Sequence, residues 1–259
     1  MIDRQNYSPS DSVRYIWSTL DLPEEALNSL NLIGDSECYT SSFEVDHLAQ
    51  ATIALSALTA SIVWSARTGR SLPRVTVSKE HACAEFISER LFTLDGARLP
   101  SPLNTIGGLH ETADGHVRMH DGFPHHRINA LKILGLEETA DRKEVAKKML
   151  EWKSVDLEAA AFQNGAVIVA LRSFNDWDTL PQSASVPDFP ISLRKIQTKA
   201  PPALPGRCPT LDACLQGIRV VELSRVIAAP VAGRTLAAHG ADVIWVRNTP
   251  LFDRNWSWS

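Results

Sequence analysis

Apolar and polar positions follow two rhythms along this chain. Val13, Ile16, Trp17 and Leu20 recur at the i, i+3, i+4, i+7 spacing of one buried helix face. Pro23, Glu24 and Glu25 open a second short helix, where a proline forfeits an N–H that lacks a partner anyway. A loop is expected from Gly34 to Ser42. The longest helical pattern runs from Val45 to Arg67, with Leu48, Ala51, Leu55, Leu58, Ile62 and Val63 as its apolar face. Asp46 is its expected N-cap and Gly69 its stop. Arg74 to Ser78 (RVTVS) alternates and is β-branched, which predicts a strand, and Lys79 to Arg90 reads as helix.

From Gly107 the texture changes to GGLHETADGHVRMHDGFPHHR. Asp114-Gly115 marks a tight turn between two short strands. Helical patterns follow over 127–134, 142–152 and 157–163, then an apolar strand over 166–171. The proline-rich stretch 186–209 reads as an extended connector. Ile218 to Leu223 is a strand, Pro230 to His239 a helix closed by Gly240, and Ala241 to Val246 a second strand. This βαβ unit implies parallel strands and a right-handed crossover. Two strands are too few for a Rossmann-type domain, so their partners are expected from earlier in this chain or from another chain.

The predicted fold class is therefore α/β, with Rossmann-type parallel sheet elements and a small α+β subdomain that contains the hairpin. The expected divisions are a helical α/β part over 1–105, the small domain over 106–185, the connector over 186–212 and the βαβ unit over 213–259.

Composition narrows the function classes. The 259 residues are 44% hydrophobic and 22% charged, enough for a real core. A net charge of -4 offers no broad basic face, so nucleic acid and anionic membranes are not expected partners. No basic segment followed by an apolar one opens the chain, which points to a cytoplasmic protein. The apolar stretch Ala49–Trp64 is expected to be too short and too polar to span a bilayer. Cys38, Cys83, Cys208 and Cys214 match neither a redox pair nor a zinc knuckle and read as reduced thiols, with Cys83 buried. No phosphate-binding loop of the Walker type and no G-x-S-x-G elbow is present.

The segment QGIRVVELSRVIAAPVAGRTLAAHGADVIWVR, from Gln216 to Arg247, resembles the opening βαβ of the class III CoA-transferases (the CaiB/BaiF family). Gly217, Pro230, Leu236, Gly240, Ala241 and Val243 fall where that pattern has them. Upstream, the helix ending in Arg67-Thr-Gly-Arg70 with RVTVSKEHA resembles the same family's later portion, and GGLHETADGHVRMH its small-domain hairpin. LRSFNDWDTLPQ is similar to a late stretch of that domain. The match is nearest to fungal members that hold two such halves in tandem. The resemblance implies an interlocked homodimer, a nucleotide-type fold for CoA and a small domain closing over the acyl group. It also implies an aspartate nucleophile that forms covalent acyl intermediates. In the family that aspartate lies downstream of the βαβ unit, in a segment this sequence does not contain. Where the family has a Glu and often an Arg to hold CoA, this chain has Arg247 and Asn248, while the loop Ser224–Ala229 is kept and can accept a ligand at a helix N-terminus.

The densest chemistry lies in the hairpin. His116, Arg118 and His120 share one face if HVRMH is a strand, because side chains repeat every two residues. Such a face can bind an oxyanion or move protons near neutrality. His110 stands where the family tends to have an aromatic residue facing the acyl pocket. His110, Arg118 and His120 are therefore the catalytic candidates. His116, His125, Arg127, Glu222 and Arg225 are the substrate-binding candidates, the last two because open α/β sheets bind ligands at the carboxyl ends of strands. No zinc-type spacing appears and no metal is expected. The first expected function is an enzyme repurposed from the family, without CoA or other cofactor, for isomerisation, cyclisation or pericyclic chemistry on an apolar small molecule of fungal secondary metabolism. The second is acyl-CoA transfer or racemisation, the one reading in which CoA binds. The third is a non-catalytic binding protein.

Overall fold

The computed structural model describes residues 7–98, 105–194, 208, 210 and 212–246. They fall into two compact units: 7–98 with 208–246, and 105–194. Unit one opens with helix α1 (Pro9–Thr19), started by a capping box in which Ser8 and Asp11 satisfy each other's backbone N–H groups. Val13 and Trp17 are its buried positions, as the spacing predicts. A 3-10 turn over Glu24–Ser29 leads into strand β1 (Leu30–Ile33), a strand the hydrophobic pattern did not announce.

Helix α2 (Val45–Thr68) ends at Gly69 in the left-handed conformation, as expected. Its other end differs. Glu44 occupies the N-cap position without a side-chain cap, and Asp46 instead accepts the Cys38 N–H at 2.6 Å, tying down the incoming loop. The buried stripe is Ala49, Ala51, Ala54, Leu58 and Ser61, while Leu48 is exposed. Small residues win this face because α1, β1 and β2 (Val75–Ser78) approach the helix closely. Gln50, buried on α2, donates to the carbonyls of Ile33 and Val77 at 3.0 Å each, joining the ends of β1 and β2. Those strands pair in parallel, Leu30 opposite Val75 through Ile33 opposite Ser78. Helix α2 has 24 residues and contains an 18-residue window of mean hydropathy 1.4, which is long and apolar enough to cross a membrane by length and composition alone, a property that core helices share. The expected 79–90 helix breaks at Ile87 into α3 (Lys79–Phe86) and α4 (Ser88–Leu91). A two-residue hairpin, β3 (Thr93–Leu94) with β4 (Ala97–Arg98), follows.

Unit two is built on a three-stranded antiparallel sheet, β5 (Gly108–Glu111), β6 (His116–Met119) and β7 (Ile168–Ala170), in that order. Helices α5 (Pro124–Ile133), α6 (Arg142–Met149) and α7 (Ser154–Gln163) supply the rest of its core. Val117, Met119, Leu131, Val145, Met149 and Leu157 are buried together there. Glu158 of α7 takes both nitrogens of Arg172 and the Ala170 N–H at 2.6–2.8 Å, which locks β7 against the helix. Short helices α8 (Phe174–Asp178) and α9 (Pro181–Ala184) close the unit. Of the predicted connector, residues 195–207 lie outside the described residues, as do Arg247 and Asn248.

The chain then completes unit one with β8 (Arg219–Glu222), α10 (Ala228–Ala238) and β9 (Asp242–Trp245). The two strands are parallel, as the βαβ pattern requires. Among the described residues they pair with each other and do not extend the β1–β2 sheet. The segment is anchored by Arg67 instead. Its buried guanidinium donates to the carbonyls of Cys214 at 2.5 Å and Gln216 at 2.9 Å. Arg67 thus ties the end of α2 to the segment just before β8.

Candidate functional site

The predicted catalytic trio does not converge. The β5–β6 register sets His110 opposite Val117 and Leu109 opposite Arg118. Paired residues of an antiparallel ladder share a face, so His110 points into the core with Val117 while Arg118 and His116 are exposed on the other side. His110 is 4% exposed and its Nε2 donates to the Ile106 carbonyl at 2.8 Å. Burial holds its imidazole below the ordinary histidine range, helped by the Arg142 guanidinium, while the bond to Ile106 opposes. Arg118 turns onto the carbonyl of its neighbour Met119.

His120 keeps different company. Its Nδ1 lies 3.3 Å from Nδ1 of His126, so one ring donates the hydrogen that the other accepts. Phe123 and His125 complete the group, with ring centroids 4.2 Å apart for His125–His126 and 5.6 Å for His120–Phe123. Arg127 is drawn off to brace two loops, donating to Thr105 Oγ1 at 2.5 Å and to the Glu138 carbonyl at 3.3 Å.

Two side chains missed by the sequence reading organise the turn before β5. Asp121, 6% exposed, accepts the Ile106 N–H at 2.9 Å and stands where a Cβ on Gly107 would have to go. Arg142 donates to the carbonyls of Gly107 and Leu109, the latter at 3.0 Å. The Gly107-Gly108 pair was the available signal, since paired glycines admit close approach of side chains to the backbone.

His110 also makes a stability prediction. Its folded-state pKa is lowered, so its contribution is present above the unfolded histidine value and is lost as pH falls through the folded one. His47 is shifted the same way by burial. Melting curves from pH 7.5 to 5.0 should therefore show His110→Gln with a shallower acid loss than the parent. Parallel pH profiles would remove His110 as a source of acid sensitivity.

At the end of β8, Glu222 is not displayed to solvent as expected for a substrate-binding residue. It accepts from Ser224 Oγ and packs against Gly233 of α10, where no Cβ would fit. Trp245 Nε1 donates to the Ser224 carbonyl at 2.8 Å, fixing the loop to β9. Arg225 is exposed in that loop, and Val226 beside it has φ 72°, a left-handed conformation that is costly for a β-branched residue. Helix α10 starts at Ala228 with no side-chain cap, and Pro230 has no N–H to offer. The first-turn amides of Ala228 and Ala229 thus face the loop as donors.

This is the part of the chain with a recognisable kinship. Residues 215–256 match the model of CoA-transferase family III. Over these residues the chain is similar to the class III CoA-transferases. It is 26% identical over 156 residues to an acyl-CoA transferase of Gibberella moniliformis, a match covering 56% of this chain and 27% of that protein. It is 49% identical over 55 residues to the succinate–glutarate CoA-transferase of Agrobacterium fabrum, covering 21% and 13%. The matched region thus spans about a quarter or less of these curated relatives' length. Among solved structures, a hypothetical protein from Mycobacterium tuberculosis gives a TM-score of 0.48 at 13% identity, over 65% of this chain and 62% of that one. A CAIB/BAIF family protein from Brucella suis gives 0.41 at 15%, over 60% and 48%.

Unit one carries a further cluster of chemical groups. A cavity of about 340 Å³ is lined by Tyr7, Tyr39, Asp46, His47 and neighbouring acidic residues. His47 stacks on Tyr7 and its Nε2 meets Ser12 Oγ at 2.7 Å. Behind Asp46 lie two thiols, Cys38 and Cys83, and the three side chains place their donor atoms within 4.8 Å of one another. Burial, with the Cys38 thiol and the Asp46 charge adding to it, pushes the Cys83 thiol up to about 12.

Proposed function

We propose that this chain binds the CoA portion of an acyl-CoA at the loop 223–229, as part of an acyl-transfer reaction. The observation that carries the reading is the uncapped N-terminus of α10 at the carboxyl ends of β8 and β9. There the amides of Ala228 and Ala229 offer donors to a pyrophosphate, and the nearby Arg225 adds positive charge. The segment lies in the family-matching region, and both curated relatives bear CoA-transferase names. The isomerase or cyclase reading is the alternative; it would need a site other than one shared by His110 and Arg118, which lie on opposite faces of their hairpin.

Saturating CoA, at 100 times its dissociation constant, should add ~2.7 kcal/mol and raise the melting temperature by ~5–10 °C. Ala229→Asp places a carboxylate at an exposed first-turn position that favours negative charge, so it should fold normally yet abolish the shift. No shift in the parent chain, or an equal shift in the Asp variant, would remove the loop from CoA binding.

A further inference from the structure

We propose that Cys38, Asp46 and Cys83 form a binding site for a zinc ion, with the fourth coordination position open towards the adjoining cavity. The donors come from three separate places: the loop before α2, the first turn of α2, and α3. Chance seldom gathers two thiols and a carboxylate from elements 45 residues apart in sequence. Their donor atoms are mutually within 4.8 Å. A point central to three atoms so spaced lies no more than about 2.8 Å from each, against ~2.3 Å for zinc–thiolate and ~2.0–2.2 Å for zinc–carboxylate bonds. Closing that difference needs side-chain adjustments of well under 1 Å, roughly what rotamer relaxation supplies.

The surroundings behave as an outer shell. Asp46 is held by the Cys38 N–H at 2.6 Å, and Tyr39 donates its hydroxyl to the Cys83 carbonyl, fixing α3 beside the loop. Orienting contacts of this kind are what metal ligands require. Cys83 is buried at 3% exposure, whereas Cys38 is half-buried and Asp46 lines the cavity, so an ion would be reached from that side. Two thiolates and one carboxylate favour zinc over magnesium or calcium, which take oxygen donors. Three protein ligands leave a fourth place for water or a ligand in the cavity, the arrangement of zinc sites that do chemistry and not of those that only staple a fold. On binding, each thiol loses its proton to solvent and both sulfurs become thiolate ligands, with no change in oxidation state.

The test uses the full chain, reduced with a phosphine and freed of metal, then mixed with zinc or cobalt chloride and desalted. About one zinc per chain is expected by mass spectrometry, and cobalt should give a thiolate-to-metal charge-transfer band. Cys38→Ser, a change at a half-buried position, should keep the circular dichroism of the parent, at least halve the band and weaken zinc binding by ~100-fold. Asp46→Asn should weaken binding while keeping the band. Cys208→Ser should change neither. A folded parent chain that retains less than about 0.1 zinc, or a band of undiminished intensity in Cys38→Ser, overturns the site.

Discussion

Arg67→Ala should lower the stability of unit one by about 3 kcal/mol and its melting midpoint by about 6–12 °C. The guanidinium is 5% exposed and donates to two carbonyls, those of Cys214 and Gln216. Each such bond from a charged donor contributes ~1.5–3 kcal/mol, and truncation leaves the carbonyl of buried Cys214 without this donor. Lysine at this position should rescue little. Its single ammonium cannot reproduce the planar fork that reaches two carbonyls two residues apart. Backbone amides of β8 and β9 should lose hydrogen-exchange protection in Arg67→Ala before those of β1 and β2 do. A melting point within about 1 °C of the parent would mean that this anchor is dispensable.

Trp17→Ala should cost unit one about 3–5 kcal/mol. The indole is fully buried among Val13, Ala26, Ala49 and Leu58, and its Nε1 donates to the Pro23 carbonyl at 2.9 Å. Removing it empties the junction of α1, α2 and the 3-10 turn and takes one of two donors from that carbonyl, which keeps the Ala26 N–H. Trp17→Phe keeps most of the volume and loses only the hydrogen bond, at ~1 kcal/mol. Denaturant curves followed by hydrogen exchange discriminate the outcome, since protection of 105–194 should be untouched. A loss below ~1 kcal/mol in Trp17→Ala would show that this junction collapses to fill the void.

Local rules account for what the sequence disclosed. The α2 boundary at Gly69, the Asp114-Gly115 hairpin and the parallel βαβ unit each rest on contacts within a few residues or on strict periodicity. What escaped depends on distant chain. β1 (LNLI) carries one β-branched residue and becomes a strand because Gln50 and β2 satisfy it. Asp46 has a capping residue's chemistry, but the incoming loop competes for its carboxylate through the Cys38 N–H and wins. Within the predicted site, the alternation of His116 and Arg118 was readable from one strand. The face of His110 was not, because it follows from the cross-strand register and from burial. Glu222 looked like a strand-end ligand until Gly233 of α10 opened a slot for it. The proximity of Cys38 to Cys83 leaves no trace in spacing at all.

The discontinuity of unit one has a consequence for synthesis. Its first part, 7–98, ends well before the βαβ segment that Arg67 grips, and 105–194 forms a unit of its own in between. At ~5–20 residues per second, a ribosome needs on the order of 10 seconds to travel from the end of α2 to Gln216. Throughout that interval the Arg67 guanidinium has no carbonyls to hold. The inserted unit can mature on the nascent chain while the outer one waits. A chaperone that recognises exposed apolar helices would meet α2 in that window, and pausing translation between 98 and 212 should lengthen its stay.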